Sequence, residues 1–186
     1  MNEKQLNDFG KFLFQRFFEE ELDIPIKINN RLKRTHAWFV FDEDNKTNSY
    51  IEVSKHLTQQ TIFIIADILC HELTHYYLFK HNKPFDDDDI EFYALTYKNG
   101  ISRTESTIVK NGVIKYNYHK HKSKCDCGFS IECYFSVLDN DFAPTLICSK
   151  CNKEMDYNFI GCEYRNYIPT YKIKKACEWY LDERKI

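Results

Sequence analysis

The run His71-Glu72-Leu73-Thr74-His75 brings together three side chains suited to metal-assisted hydrolysis. On a helix, residues four apart lie one turn above each other, about 5–6 Å between Cβ atoms, so both imidazoles can turn a nitrogen to one zinc ion. Glu72, next to the first ligand, reaches a water at an open zinc position without ligating the metal, which is the place of a general base. Zinc lowers the pKa of such a water toward about 7 and polarises a carbonyl, so the expected chemistry is peptide-bond hydrolysis without a covalent intermediate. Asp67, one turn before His71, faces the same way. It either accepts an imidazole N–H and orients a ligand, or is a solvated helix residue.

A second constellation pairs Cys125-x-Cys127 with Cys148-x-x-Cys151. Four thiolates held at two tight turns close a tetrahedron around zinc and leave no vacant position, so this site is expected to be structural. Metal binding there would help to fold a sheet too small to stabilise itself. The one-residue spacing of the first pair is tighter than the usual two, which keeps Cys133 as an alternative ligand. Cys70, Cys162 and Cys177 stand alone and read as buried small hydrophobes. The expectation is two zinc ions per chain, one catalytic and one structural.

The segment from Lys115 to Lys124 carries four Lys, two His and two Tyr in ten residues. Lys115, Tyr118, Lys120, Lys122 and Lys124 are candidate nucleic-acid contacts, lysines for phosphates and a tyrosine for base stacking. The competing reading is a solvated strand edge guarded by lysines.

The elements that must position these groups show in the hydrophobic spacing. Leu6, Phe9, Leu13, Phe17 and Phe18 form the stripe of an amphipathic helix from Lys4 to Leu22, stopped by Pro25. Three β-like runs follow, Ile24 to Ile28, Trp38 to Phe41 and Tyr50 to Val53, and predict a small antiparallel sheet. An apolar helix from about Gln59 to Phe79 carries the histidines, and another opens in the run Asp86 to Asp89, whose carboxylates suit N-capping. From about Ile108 the pattern turns β-like around the cysteines, and a short helix is expected at Lys174 to Glu183 in a tail without an assigned role.

With 43% hydrophobic and 16% aromatic residues in 186, the chain can bury a sizeable core, which excludes wholesale disorder. Only 5 Gly and 4 Pro exclude collagen-like and low-complexity classes. The longest apolar run, Ile62 to Cys70, is broken by Asp67 and falls short of the roughly 18 residues that span a bilayer, so no membrane span is expected. The first residues lack the pattern of a secretory signal, so a cytoplasmic location is expected and the eight cysteines read as thiols or ligands. Net charge is −2, but residues 1–100 hold 12 Lys and Arg against 17 Asp and Glu, whereas residues 101–186 hold 14 against 11. The basic excess therefore lies beside the cysteines.

The run from Asp67 to Leu78, preceded by Arg31-Leu32-Lys33-Arg34-Thr35 and Ile51-Glu52-Val53-Ser54, resembles the SprT-like zinc metallopeptidase family, and the four-cysteine segment resembles the zinc ribbon that many of its members carry. The resemblance covers roughly residues 5–156. It implies an α+β, zincin-like domain over 1–107, with an N-terminal helix, a three-stranded antiparallel sheet, the metal helix and a following helix. A zinc ribbon over 108–156 and a tail over 157–186 complete the expected organisation. It also implies a relationship to the Spartan-type proteases that cleave proteins crosslinked to DNA.

The family usually supplies a third histidine near the start of the helix after the metal helix. Here Phe85-Asp86-Asp87-Asp88-Asp89-Ile90-Glu91-Phe92 occupies that place, with Asp87 where the histidine falls. Asp87 is thus the expected third ligand, with His81, Glu91 and a neighbouring Asp as alternatives; an aspartate would lower the net positive charge on the metal. The expected function is a zinc metallopeptidase acting on a protein or peptide, with DNA as a further partner. The alternative is a noncatalytic, zinc-stabilised nucleic-acid-binding module.

Overall fold

The computed structural model describes residues 1–101, 106–108, 114–135 and 145–183. Among them are four α-helices and eight strands in two sheets, an α+β architecture. The chain divides into two compact units, Met1–Ser102 with Ile168–Ile186, and Arg103–Tyr167.

In the first unit, α1 (Glu3–Phe18) starts at a capping box in which Asn2 and Gln5 satisfy each other's backbone N–H. It ends at Glu19, whose left-handed conformation (φ 61°) closes the helix six positions before Pro25, so proline is not the stop signal. Its buried face is Leu6, Phe9, Leu13 and Phe14, each worth about 1.5–3 kcal/mol when removed from water. Gly10 lies on the same face because a Cβ there would collide with the side chain of Ile26.

Strands β1 (Ile26–Asn29), β2 (Ala37–Val40) and β3 (Tyr50–Ser54) form a sheet in the order β1-β3-β2. The sheet is mixed rather than antiparallel as expected. β2 and β3 are antiparallel, but β1 runs parallel to β3, with Ile26 opposite Ile51. Hydrophobic alternation fixes which residues face the core but not strand direction, and the connection through residues 30–49 is long enough for a parallel crossover. Side chains of α1 seal the outer edge of β1: Asn7 exchanges two hydrogen bonds with the backbone of Ile26, and Glu3 accepts from the N–H of Ile28.

Helix α2 (Ile62–Lys80) crosses the middle of this unit. It is long and apolar enough, by length and composition alone, to cross a membrane, yet most of it is buried inside the protein, including Ile65, Leu69, Leu73 and Leu78. Apolar residues all round a helix are what burial on every side demands. Helix α3 (Ile90–Asn99) follows, closed by Gly100 at φ 66°.

Helix α4 (Tyr171–Glu183) belongs to the same unit. Its Tyr180 ring lies 4.4 Å from Phe9 and 5.2 Å from Phe12, Trp179 covers the Arg16 guanidinium, and Thr170 donates to the Gly100 carbonyl at 2.6 Å. The C-terminal part of the stretch read as a tail, from Ile168, thus belongs to the unit that carries the histidine-bearing helix.

The second unit is a five-stranded sheet. Its two long strands, β5 (Ile114–Lys124) and β8 (Glu154–Arg165), are antiparallel. β4 (Ser106–Ile108) and β6 (Ser130–Phe135) pair with successive stretches of β5, and β7 (Leu146–Ile147) pairs with β8. A bulge opposite Lys120 and His121 leaves Ile160 unpaired beside Gly161, whose φ of 147° suits glycine. β8 runs past residue 156, so the sheet extends beyond the expected end of the ribbon. Residues 136–144, within the stretch expected to turn β-like around the cysteines, lie outside the described residues.

Candidate metal centres

His71 and His75 lie one turn apart on α2, with Glu72 next to His71, and the imidazoles keep 25% and 13% of their side-chain surface exposed. The chain after α2 then turns back toward them. His81, Asn82 (φ 55°) and Lys83 return their N–H groups to the carbonyls of Tyr77, Phe79 and Leu78, and Lys46 Nζ donates to the Phe79 carbonyl at 2.7 Å. This closure brings the Phe85 carbonyl to 2.5 Å from His75 Nδ1. A carbonyl only accepts, so Nδ1 carries the proton and Nε2 of a neutral His75 is a lone pair.

Asp87 comes next, held in a turn in which Asp89 N–H donates to the Asp86 carbonyl and Asp86 N–H donates to the Asp89 carboxylate. Its Oδ1 lies 3.1 Å from His71 Nε2 and 3.5 Å from His75 Nε2, and the two Nε2 atoms are 3.2 Å apart. A tetrahedral ion with ligands at about 2.0–2.1 Å separates neighbouring donors by about 3.3 Å, so this triangle has the dimensions of one face of such a polyhedron. Chemistry points the same way: with neutral rings, a single proton on His71 Nε2 faces two lone-pair atoms, His75 Nε2 and Asp87 Oδ1, whereas a cation satisfies all three. The three residues could therefore hold a metal ion.

The four aspartates divide their roles. Asp89 is the N-cap residue of α3, but its carboxylate bonds Asp86 rather than a helix N–H, and Asp87 faces the histidines. His81, an alternative ligand, is turned to Glu20 at 2.7 Å. Glu91 sits in the first turn of α3 and does not join the cluster among the described residues.

Charge follows from this packing. Burial pushes the His71 pKa down, but the hydrogen bond to Asp87 and the charge of Glu72 outweigh it, and the net shift is upward. Asp87 is held well below the usual carboxylate range by His71 and then His75. Burial lifts Glu72 above its ordinary value, against the opposing pull of the imidazoles. Asp67 is only 2% exposed, so the solvated reading falls; its charge reaches His71, Cys70 and Cys177.

Two supports of the site have no signature in the sequence, because they are main-chain groups. One is the Phe85 carbonyl. The other is the backbone of Phe39, which hydrogen-bonds the Glu72 carboxylate. Ser54 N–H donates to the His36 carbonyl at 2.7 Å, and the register steps by two to Trp38 opposite Glu52, so the peptide groups of Ala37 and Phe39 point away from β3. Phe92 completes the surround, stacked on His75 at 4.3 Å and edge-on to His71 at 5.0 Å. Its apolar position on α3 was readable; its contact with both rings was not.

In the second unit, Cys125, Cys127, Cys148 and Cys151 come together. Cys125 Sγ is 3.4 Å from Cys151 Sγ and Cys127 Sγ is 3.6 Å from Cys148 Sγ, close to the roughly 3.8 Å edge of a tetrahedral site with Zn–S about 2.3 Å. Each pair sits on a tight turn, Cys125 N–H to the Phe129 carbonyl with Gly128 at φ 85°, and Cys148 N–H to the Lys153 carbonyl with Asn152 at φ 57°. The sulfurs compete for protons: burial opposes ionisation of Cys148, but N–H groups of Lys150 and Cys151 and the neighbouring thiols bring it down to about 6, whereas Cys125, against the pull of the Cys127 N–H, is pushed up to about 12 by Cys151. Met155, Phe129 and Leu146 pack on the cluster. Cys133 is not part of it; its thiol donates to the His121 carbonyl.

The basic segment is largely engaged. Lys120 pairs with Glu132 at 2.8 Å, Lys115 bonds Asn166, and Tyr118, at 6% exposure, is too buried to stack on a base. Exposed Lys122 and Lys124 stand opposite Glu132 and Asp156 in the register. Comparison of the chain with protein-family models, with curated proteins and with solved structures finds no match.

Proposed function

We propose that this chain is a zincin-like, zinc-dependent metallopeptidase, working as the SprT-like enzymes it resembles do, with the four-cysteine centre as a structural zinc site. The observation that carries this reading is the triangle of His71, His75 and Asp87 donors beside a carboxylate, Glu72, that stays out of it. A purely structural site would use a fourth protein ligand, and the described residues offer three.

His71, His75 and Asp87 would hold the zinc, which when bound lowers the pKa of a water to about 7 and polarises a carbonyl. Glu72 takes the proton of the attacking water and hands it to the departing amine. Its burial favours this, because a raised carboxylate pKa strengthens the base. The hydrogen bond from the Phe39 backbone fixes where that carboxylate points. Phe85 locks the tautomer of His75, and Phe92 excludes water behind both rings. A carboxylate as third ligand makes the site less positive than three histidines would.

The substitution Glu72→Gln tests the reading. It should leave fold and metal content unchanged while abolishing cleavage of an unstructured protein substrate, and retained cleavage would sink the assignment. The alternative of a noncatalytic nucleic-acid module rests on a basic segment in which Lys120 is paired, Lys115 is hydrogen-bonded and Tyr118 is buried.

A further inference from the structure

Positive charge in the first 100 residues is gathered in two stretches that the three-stranded sheet brings to one end. Residues 24–41 and 53–66 hold five Lys and Arg and no Asp or Glu, whereas the rest of residues 1–100 hold 7 Lys and Arg and all 17 Asp and Glu. β1 and β3 are parallel and finish together, Asn29 opposite Ser54, and β2 starts beside them with Ala37 opposite Val53. Arg31, Lys33 and Arg34, in the connection from β1 to β2, and Lys55, just after β3, therefore lie at the same end of the sheet. Neighbouring strands are about 4.8 Å apart, so the three strand ends set these cations on a base roughly 10 Å wide.

All four side chains are exposed, and none forms an ion pair among the described residues. The acids closest in the register are engaged: Glu52 accepts from Asn29 Nδ2 and Trp38 Nε1, both at 2.8 Å, and Glu3 accepts from the N–H of Ile28. The connection is fastened at both ends, Arg31 N–H donating to Asn29 Oδ1 at 2.8 Å and Ser54 N–H to the His36 carbonyl at 2.7 Å. Like charges held together in this way repel, and an anionic partner relieves the repulsion.

This basic patch continues into the candidate site along β2, which is an edge of its sheet. The backbone of Phe39 bonds Glu72, and two residues nearer the patch Ala37 also turns its peptide groups away from β3. Arg34 stands five residues before Phe39, at most about 18 Å of chain, which five or six extended residues would match. An extended polypeptide can hydrogen-bond such an edge through its main chain and run on over the cations. A nucleic acid has no such row of donors and acceptors, and its phosphates would meet Glu52.

We infer that the patch of Arg31, Lys33, Arg34 and Lys55 is an exosite that captures an acidic tract of the substrate, about five residues from the scissile bond. The inference rests on the peptidase reading and names its substrate class, proteins that carry a run of Asp or Glu beside an accessible stretch of chain.

The test uses the full-length, zinc-loaded protein and unstructured peptides with one common cleavable core, flanked five residues to either side of the cut by three Asp or by three Asn. On one of the two sides the Asp peptide should exceed its Asn counterpart at least about fivefold in kcat/KM, with the difference in KM. Raising the salt from 0.1 to 1 M, which shortens the screening length from about 10 to 3 Å, should remove most of that ratio. Arg31→Gln, Lys33→Gln and Arg34→Gln together should remove it as well while leaving cleavage of the Asn peptide and the metal content in place. Lys11→Gln with Lys98→Gln, exposed cations of α1 and α3, should leave the ratio unchanged.

Affinity of the same peptides for the Glu72→Gln protein, followed by fluorescence anisotropy, supplies a readout independent of turnover. The Asp peptide should bind more tightly, and the triple substitution in that background should level the two. Equal cleavage and binding of both peptides, or a preference that survives the triple substitution, overturns the exosite. A single-stranded oligonucleotide that binds the same three residues and displaces the Asp peptide at lower concentration assigns the patch to nucleic acid and overturns it too. A binding preference abolished by the triple substitution, in a protein that cleaves nothing, supports the patch and removes the peptidase.

Discussion

Replacing Asp87 by Asn removes a charged oxygen donor and keeps the size of the side chain. Asp87 is 64% exposed, so the change leaves no buried void, and its effect isolates metal binding from packing. Groups that only orient a metal ligand change affinity by about 10–100-fold, so loss of one of three ligands should weaken binding by about 100-fold or more. A metal that binds only the folded state stabilises it by RT ln(1 + [L]/Kd), and a 100-fold weaker Kd therefore removes about 2.7 kcal/mol. For a chain of this size that is about 5–11 °C in Tm.

The assay is thermal unfolding in zinc buffered by a chelator too weak to empty the thiolate centre, with metal counted by mass spectrometry. Asp87→Asn and Asp87→Ala should show one zinc per chain where the parent shows two, and should lose the zinc-dependent rise in Tm. His75→Ala should do at least as much, since it also gives up the bond to Phe85. If both Asp87 variants keep two zinc ions and the full rise in Tm, while Glu91→Gln or His81→Ala loses them, the donor triangle has been misread.

Other outcomes follow from the same structure. Cys148→Ser should halve the metal content and expose the second unit to limited proteolysis, because the proposed zinc on the four cysteines and a small apolar cluster would hold its turns together. Tyr180→Ala should lower stability by about 3 kcal/mol in urea unfolding, through the ring contacts with Phe9 and Phe12, without removing zinc from the histidine site. Glu20 is opposed by burial but held below its ordinary 4.5 by Lys80 and His81. Its contribution is therefore complete above 4.5 and lost as the pH falls through the lowered value, so Glu20→Gln should flatten that part of the acid limb of denaturant stability between pH 6 and 3.

What could be read in the sequence and what could not divide by the range of the interaction. The one-turn spacing of His71 and His75, the cysteine pairs and the helical stripes are local patterns, and each element falls within a few residues of its expected place. The parallel pairing of β1 with β3 was not legible, because alternation along a strand is blind to its partner's direction. Asp87 was singled out by resemblance, from four equal-looking aspartates; only the turn between Asp86 and Asp89 distinguishes the one that faces the rings. The buried state of Tyr118 was hidden because the bulge at Lys120 and His121 shifts the alternation of β5 partway along the strand. Main-chain partners such as the Phe85 carbonyl belong to every residue alike and mark no position in advance.

The first unit is assembled from two stretches of chain with a whole second unit between them. A ribosome therefore releases α1, α2 and α3 well before the aromatic surface of α4 that covers Phe9 and Phe12 has been made. Until then those rings stay open to chaperones, and the helix that bears the histidines lacks one of its walls. Under the proposed peptidase reading, hydrolytic competence would arrive only once α4 has emerged, and a half-made nascent chain would not attack its surroundings.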